Sequence, residues 1–269
     1  MNRHLSQWFM FGVLCLWPLL ARSRQANSTL ARGEAFNSPS FTAIGTPEIS
    51  HRSGPSVSLR ELSIPVRAGN EYKKGLDRLA KHDPVGSLVH FQRATSEFQG
   101  FYEAYFALGL AQLDLGHEEE AQHSLQKSID ESGGHYAQPF FAMSMVLCGQ
   151  RKYAEAEPII RRALELAPGL HPGKLILAWV LFGLNHLDQA ERIDREVLVQ
   201  DPTLAPAHLL LSDIYNRRSD YSAALSELDA YLELKPYGAL SGQVREVKKS
   251  LEQRLAKSTV VVEAARTEP

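Results

Sequence analysis

Residues 156–168 read AEPIIRRALELAP, residues 190–202 read AERIDREVLVQDP and residues 224–236 read ALSELDAYLELKP. Each stretch opens on alanine and closes on proline, and each begins 34 residues after the one before. The interval extends outward in both directions. Gly75 and Gly109, Ser87 and Ala121, and Ala94 and Ser128 are also 34 apart, while Ala121 to Ala156 is 35, with the extra residue placed at Gly133-Gly134. After Pro65 the chain is helical in pattern, and a unit of 34 residues has room for two helices and two turns. The small residues Gly75, Gly109, Ser144, Ala178 and Ser212 on one helix, and Ser87, Ala121, Ala156, Ala190 and Ala224 on the other, let paired helices approach closely. Pro168, Pro202 and Pro236 stop the second helix, because the residue before a proline avoids the helical region.

This pattern resembles the tetratricopeptide repeat, W-x2-L-G-x2-Y followed by A-x3-F and then P. Tyr105, Leu108, Gly109, Ala121 and Leu125 carry it in the second unit, and Phe140, Met143, Leu147, Ile160 and Pro168 in the third. Leu177, Ala178, Leu181 and Ala190 carry it in the fourth, and Leu211, Tyr215, Ala224 and Leu228 in the fifth. The resemblance implies an all-α fold, a right-handed α-solenoid of five helical hairpins at about 68–101, 102–135, 137–170, 171–204 and 205–238. A capping helix over 241–257 and a frayed tail over 258–269 follow. The first unit departs at Glu71, Lys74 and Arg78, as suits a terminal repeat with one wet face. The fourth departs at Lys174 and Asp194.

In this family ligands lie on the concave face, lined by the first helix of each hairpin. Carried over, that face holds Tyr72, Phe106, Leu110, Phe141, Met145, Trp179 and Phe182, then turns polar at Asp213, Asn216 and Arg217. Two readings stand side by side: an open groove for a helix, an extended peptide or a lipid-like ligand, and inter-helix core, since Leu175–Leu184 is apolar all round. A strip from Val57 to Ile64 could also cover such a groove. The clamp by which some relatives grip a chaperone's C-terminal carboxylate has no counterpart, because Tyr72, Leu76 and Phe106 stand at its early places.

Ahead of the repeats, Arg3 and His4 precede an apolar run, Trp8–Leu20, that ends at Ala21. This predicts a signal peptide over 1–21. The run is shorter than the roughly 20 residues of a membrane span, although an uncleaved anchor over 8–20 is the alternative. Residues 22–64, rich in Ser, Thr, Pro, Asn and Gly, read as a flexible linker, with a glycosylation-type triplet at Asn27-Ser28-Thr29. The 269 residues are 44% apolar and 22% charged with a net charge of −2, which leaves no excess of basic charge for nucleic acid. Ten histidines do not fall at metal-ligand spacings, and Glu118-Glu119-Glu120 reads as acids at a helix start. Catalytic and phosphate-binding motifs are absent, so no enzyme activity, metal or cofactor is expected. The expectation is an exported scaffold, periplasmic or secreted, that binds a protein or peptide. A carrier of a small apolar or lipid-like ligand is the alternative, and oligomeric state is left open.

Overall fold

A computed structural model of the chain describes residues 63–267. The expected signal segment 1–21, the linker up to residue 62 and the glycosylation triplet lie outside the described residues. The described residues form eleven helices and no strand. They are α1 (Val66–Leu79), α2 (Pro84–Glu97), α3 (Tyr102–Asp114), α4 (Glu118–Glu131), α5 (Gln138–Gly149), α6 (Tyr153–Leu166), α7 (His171–Gly183), α8 (Leu187–Gln200), α9 (Ala205–Arg217), α10 (Tyr221–Leu234) and α11 (Ser241–Thr267).

The chain divides into two units after Gly173. Among the described residues the first holds the hairpins α1–α2, α3–α4 and α5–α6, with α2 packed on α3 and α4 on α5. The second holds α8 to α11, with α8 packed on α9, α9 paired with α10, and α10 packed on α11. Helix α7 begins in the first and continues into the second.

One turn geometry closes the first helix of every hairpin. The residue at the turn has positive φ: His82 (55°), Gly116 (76°), Arg151 (62°), Asn185 (64°) and Ser219 (63°). The next residue donates its N–H to a carbonyl five positions back, as His117 does to Gln112 at 2.9 Å and Asp220 to Tyr215 at 2.9 Å. This doubly bonded turn satisfies carbonyls that the helix end leaves orphaned. Only Gly116 meets it with glycine; the other four accept a left-handed backbone at some cost. The 35-residue step is taken up at Gly133 and Gly134, both with positive φ. The second helices α6, α8 and α10 each end on a residue outside the helical region, Ala167, Asp201 or Lys235, directly before Pro168, Pro202 or Pro236.

The small positions sit where helices come closest. Ala121, Ala156, Ala178, Ala190 and Ala224 are 0% exposed. A Cβ on Gly75 would lie 2.5 Å from the Phe91 ring, and one on Gly109 2.9 Å from Leu125. Gly75→Ala therefore gains about 1 kcal/mol of helix propensity but overpacks the fully buried Phe91 at a cost of about 1–3 kcal/mol. A net loss of stability in urea unfolding is expected; a gain would show that Phe91 can move aside.

One expectation changes at the C-terminal end. The tail from Ser258, expected to fray, continues α11 to Thr267, because no glycine or proline interrupts residues 243–268. Of the strip Val57–Ile64 only the last two residues are described, and Ile64 packs on the first hairpin's core with Ala68, Tyr72 and Phe101.

Candidate functional site

The first helices carry every residue expected at a binding face, but in two different states. Tyr72 on α1 (3% exposed), Phe106 on α3 (1%), Phe141 on α5 (0%) and Trp179 and Phe182 on α7 (4% each) are buried. Leu110 and Met145 are half-buried. Tyr72 lies 4.9 Å from the Phe101 ring, and Phe106 meets Tyr136 edge-on at 5.6 Å. Trp179 meets Phe182 edge-on at 5.9 Å. These aromatic rings are core, so they do not line an open groove, and burial drives the Tyr72 hydroxyl well above its usual pKa.

The polar residues of α9 differ. Asp213 and Asn216 are half-buried and Arg217 is exposed. The Arg217 guanidinium stacks 3.9 Å from the centre of the Phe182 ring and donates to the Phe182 carbonyl at 3.1 Å and to Asn185 Oδ1 at 3.4 Å. Asp213 Oδ2 and Asn216 Oδ1 are shielded and accept no hydrogen bond from any described residue. Burial pushes the Asp213 carboxyl up to about 7, with Arg217 pulling the other way. Each such unmet acceptor costs about 1–3 kcal/mol.

Sequence reasoning missed the ionic clusters. Glu71 on α1, read as a wet-face residue, is only 9% exposed. It accepts from Lys74 at 2.6 Å and pairs with His90 at 2.8 Å, and those hydrogen bonds hold its carboxyl down at about 2. In the fifth hairpin the same two positions reverse the pair, with His208 on α9 at 2.7 Å from Glu227 on α10. The available signal was that residues 71 and 208, and 90 and 227, are equivalent by the repeat. Glu191 on α8 is a second hub: it accepts from Tyr215 at 2.6 Å, Arg195 at 3.0 Å and Arg218. Burial works against its ionisation, yet the hydrogen bonds from Tyr215, Arg218 and Arg195 prevail and bring it to about 2.

A carboxyl at about 2 when folded and about 4.5 when unfolded adds stability that is full above 4.5 and vanishes as pH falls toward 2. Thermal midpoints are therefore expected to fall between pH 5 and pH 2.5. Glu71→Gln and Glu191→Gln should each flatten that slope; an unchanged slope in both would remove these clusters as its cause.

The remaining departure in the fourth unit is Asp194. It is 0% exposed, neither carboxylate oxygen has a partner among the described residues, and burial raises its carboxyl well above the usual range. Lys174 instead reaches Glu196 at 4.0 Å. Glu118, Glu119 and Glu120 occupy the first turn of α4, where acids offset the helix dipole. Among the described residues no group of three or more His, Cys, Asp or Glu could hold a metal ion, and no helix is long and apolar enough to cross a membrane.

Family models for the tetratricopeptide repeat match residues 102–134, covering α3–α4, and residues 175–239, covering α7 from Leu175 through α10. Residues 102–134 and 175–239 are tetratricopeptide repeats. Solved structures with this fold include MamA from Desulfovibrio magneticus RS-1 (TM-score 0.59, 18% identity, 66% of this chain and 99% of that one). YrrB, described as a tetratricopeptide-repeat protein with an unusual peptide-binding site, aligns with TM-score 0.56 and 20% identity over 66% of this chain and 92% of its own. A repeat protein from Parabacteroides merdae aligns with TM-score 0.60 and 16% identity over 76% and 81%. At these identities the likeness is one of fold. In sequence, the repeat protein is 26% identical over 129 residues to the human protein O-mannosyl-transferase TMTC1, a stretch covering 48% of this chain and 14% of that protein's length.

Proposed function

We propose that this tetratricopeptide-repeat protein is a non-enzymatic adaptor that binds a protein or peptide partner and is exported to the cell envelope, periplasmic or secreted, by residues 1–21. Tetratricopeptide repeats form protein-interaction scaffolds, and the peptide-binding site named for YrrB gives the same general direction. The observation that carries the reading is the contrast along the first helices: the aromatic residues are buried, while α9 carries the half-buried polar residues Asp213 and Asn216 and the exposed Arg217. That contrast favours a polypeptide, rich in backbone and side-chain donors, over a lipid-like cargo. The similarity to the human transferase covers too small a share of that protein to lend its activity.

A photo-crosslinker placed at Arg217 in the full chain, expressed with its own N-terminus, is expected to yield a discrete protein adduct. A co-purifying small mass in native mass spectrometry, without an adduct, would favour the carrier instead. Intact mass should show loss of the first 21 residues; an unprocessed chain in the cytosol would end the export half of the proposal.

A further inference from the structure

An open crevice of about 530 Å³ lies between α3 and α4, the helices of the second hairpin. The buried Leu108 and the half-buried Tyr105 give it an apolar wall on α3. Gln112 and Ser124 are its buried polar members, and Glu119 and Glu120, both exposed, bring carboxylates from α4. Gln112 is only 8% exposed, and its Oε1 accepts from the Ser124 hydroxyl at 2.6 Å. Its amide nitrogen has no partner among the described residues yet is not sealed from solvent, so its N–H groups are open to the crevice it lines. Packing does not call for a polar side chain there: the equivalent residues of the third and fourth hairpins are Leu147 and Leu181.

Charge points the same way. Helices α3 and α4 carry seven acids (Glu103, Asp114, Glu118, Glu119, Glu120, Asp130 and Glu131) against one base, Lys127. In the fourth hairpin the acid equivalent to Glu119 is Asp188, and Arg218 from the following hairpin pairs with it. The residue equivalent to Arg218 behind the second hairpin is the neutral Gln150, which reaches Glu118 at 3.2 Å instead. The Glu119 and Glu120 carboxylates therefore have no ion pair or hydrogen bond among the described residues.

We propose that this crevice takes a lysine or arginine side chain of the partner polypeptide together with the backbone carbonyl beside it. The proposal rests on the adaptor reading and gives it a place and a chemistry. The aliphatic stem lies along Leu108 and the Tyr105 ring, the cation meets Glu119 and Glu120 in charge-assisted bonds, and the carbonyl accepts from the Gln112 amide. A free polyamine supplies the cation but no acceptor for Gln112. An acidic or phosphorylated segment would face two carboxylates. Among the described residues no group of His, Cys, Asp or Glu could hold a metal ion, Glu119, Glu120 and His123 included.

The test uses the full-length chain labelled with nitrogen-15 and capped tripeptide probes, glycine flanking a central lysine, arginine or uncharged norleucine, with n-pentylamine as a cation lacking carbonyls. The lysine and arginine probes are expected to shift the Gln112 side-chain amide and the backbone signals of Glu119, Glu120 and His123 saturably, and more weakly as salt is raised. Joint replacement Glu119→Gln and Glu120→Gln, at exposed positions, should weaken that binding at least fivefold with the rest of the spectrum in place. Gln112→Leu, the residue the repeat carries at 147 and 181, should weaken the lysine peptide at least threefold and leave n-pentylamine unaffected. Equal binding of the norleucine probe, no shift at all, or lysine binding unchanged by the double replacement would each overturn the site. Equal affinity of n-pentylamine and the lysine peptide would overturn the carbonyl contact, and with it the assignment to a polypeptide. Display-selected peptides whose affinity ignores the double replacement would overturn the site too, yet leave the adaptor reading standing.

Discussion

Replacing Asp194 by leucine is expected to stabilise the protein by about 2–4 kcal/mol. Positions 91, 125, 160 and 228, equivalent to it by the repeat, hold Phe, Leu, Ile and Leu, and all four are no more than 1% exposed. Asp194 occupies the same core site with both oxygens unpaired among the described residues, which costs about 1–3 kcal/mol by protein mutational data. Leucine removes that cost and adds apolar burial worth about 1.5–3 kcal/mol, part of which is lost to repacking around a larger side chain. The sign of the pH effect is also set. A carboxyl raised on folding destabilises the protein increasingly as pH rises above its unfolded value, so the gain from Asp194→Leu should be larger at pH 8 than at pH 4. Urea unfolding at both pH values measures it. A loss of stability would mean that Asp194 is met by a donor not seen here.

The second large effect has the opposite sign. Trp179→Ala should cost about 3–5 kcal/mol, the usual range for truncating a large buried aromatic, since Trp179 is 4% exposed and packs edge-on to Phe182. Spectroscopy reads the same property without a mutation. Of the three tryptophans, two fall in residues 1–21, so a chain starting at residue 22 reports on Trp179 alone. Blue emission that acrylamide barely quenches is expected. Red, readily quenched emission together with a small loss of stability would mean that α7 is open in solution.

These two residues also mark how far the sequence could be read. The hairpins were legible because a 34-residue repeat ties small residues, turn positions and prolines to one another; Ala190 and Pro202 predict α8 well even though Asp194 lies between them. The end of α11 was not, since Ser258 to Thr267 is unfavourable to helix only weakly and nothing in it breaks one. The candidate site was half legible. The numbers of the first-helix residues follow from the repeat, and so does the switch from aromatic to polar at Asp213. Whether Phe106 or Trp179 faced solvent did not, because an aromatic residue at a given helical position reads the same in a groove as in a core.

The sequence alone thus determined the hairpins, their turns and their closest contacts, because those depend on intervals of a few residues and on side-chain size. Only the tertiary structure decided which side chains are satisfied. Glu71 finds His90 19 residues away and Glu191 finds Arg218 27 residues away, while Asp194, Asp213 and Asn216 keep acceptors unmet. Hydrogen bonding and desolvation depend on what lies within a few ångströms in space, and neighbours brought in from other helices set that.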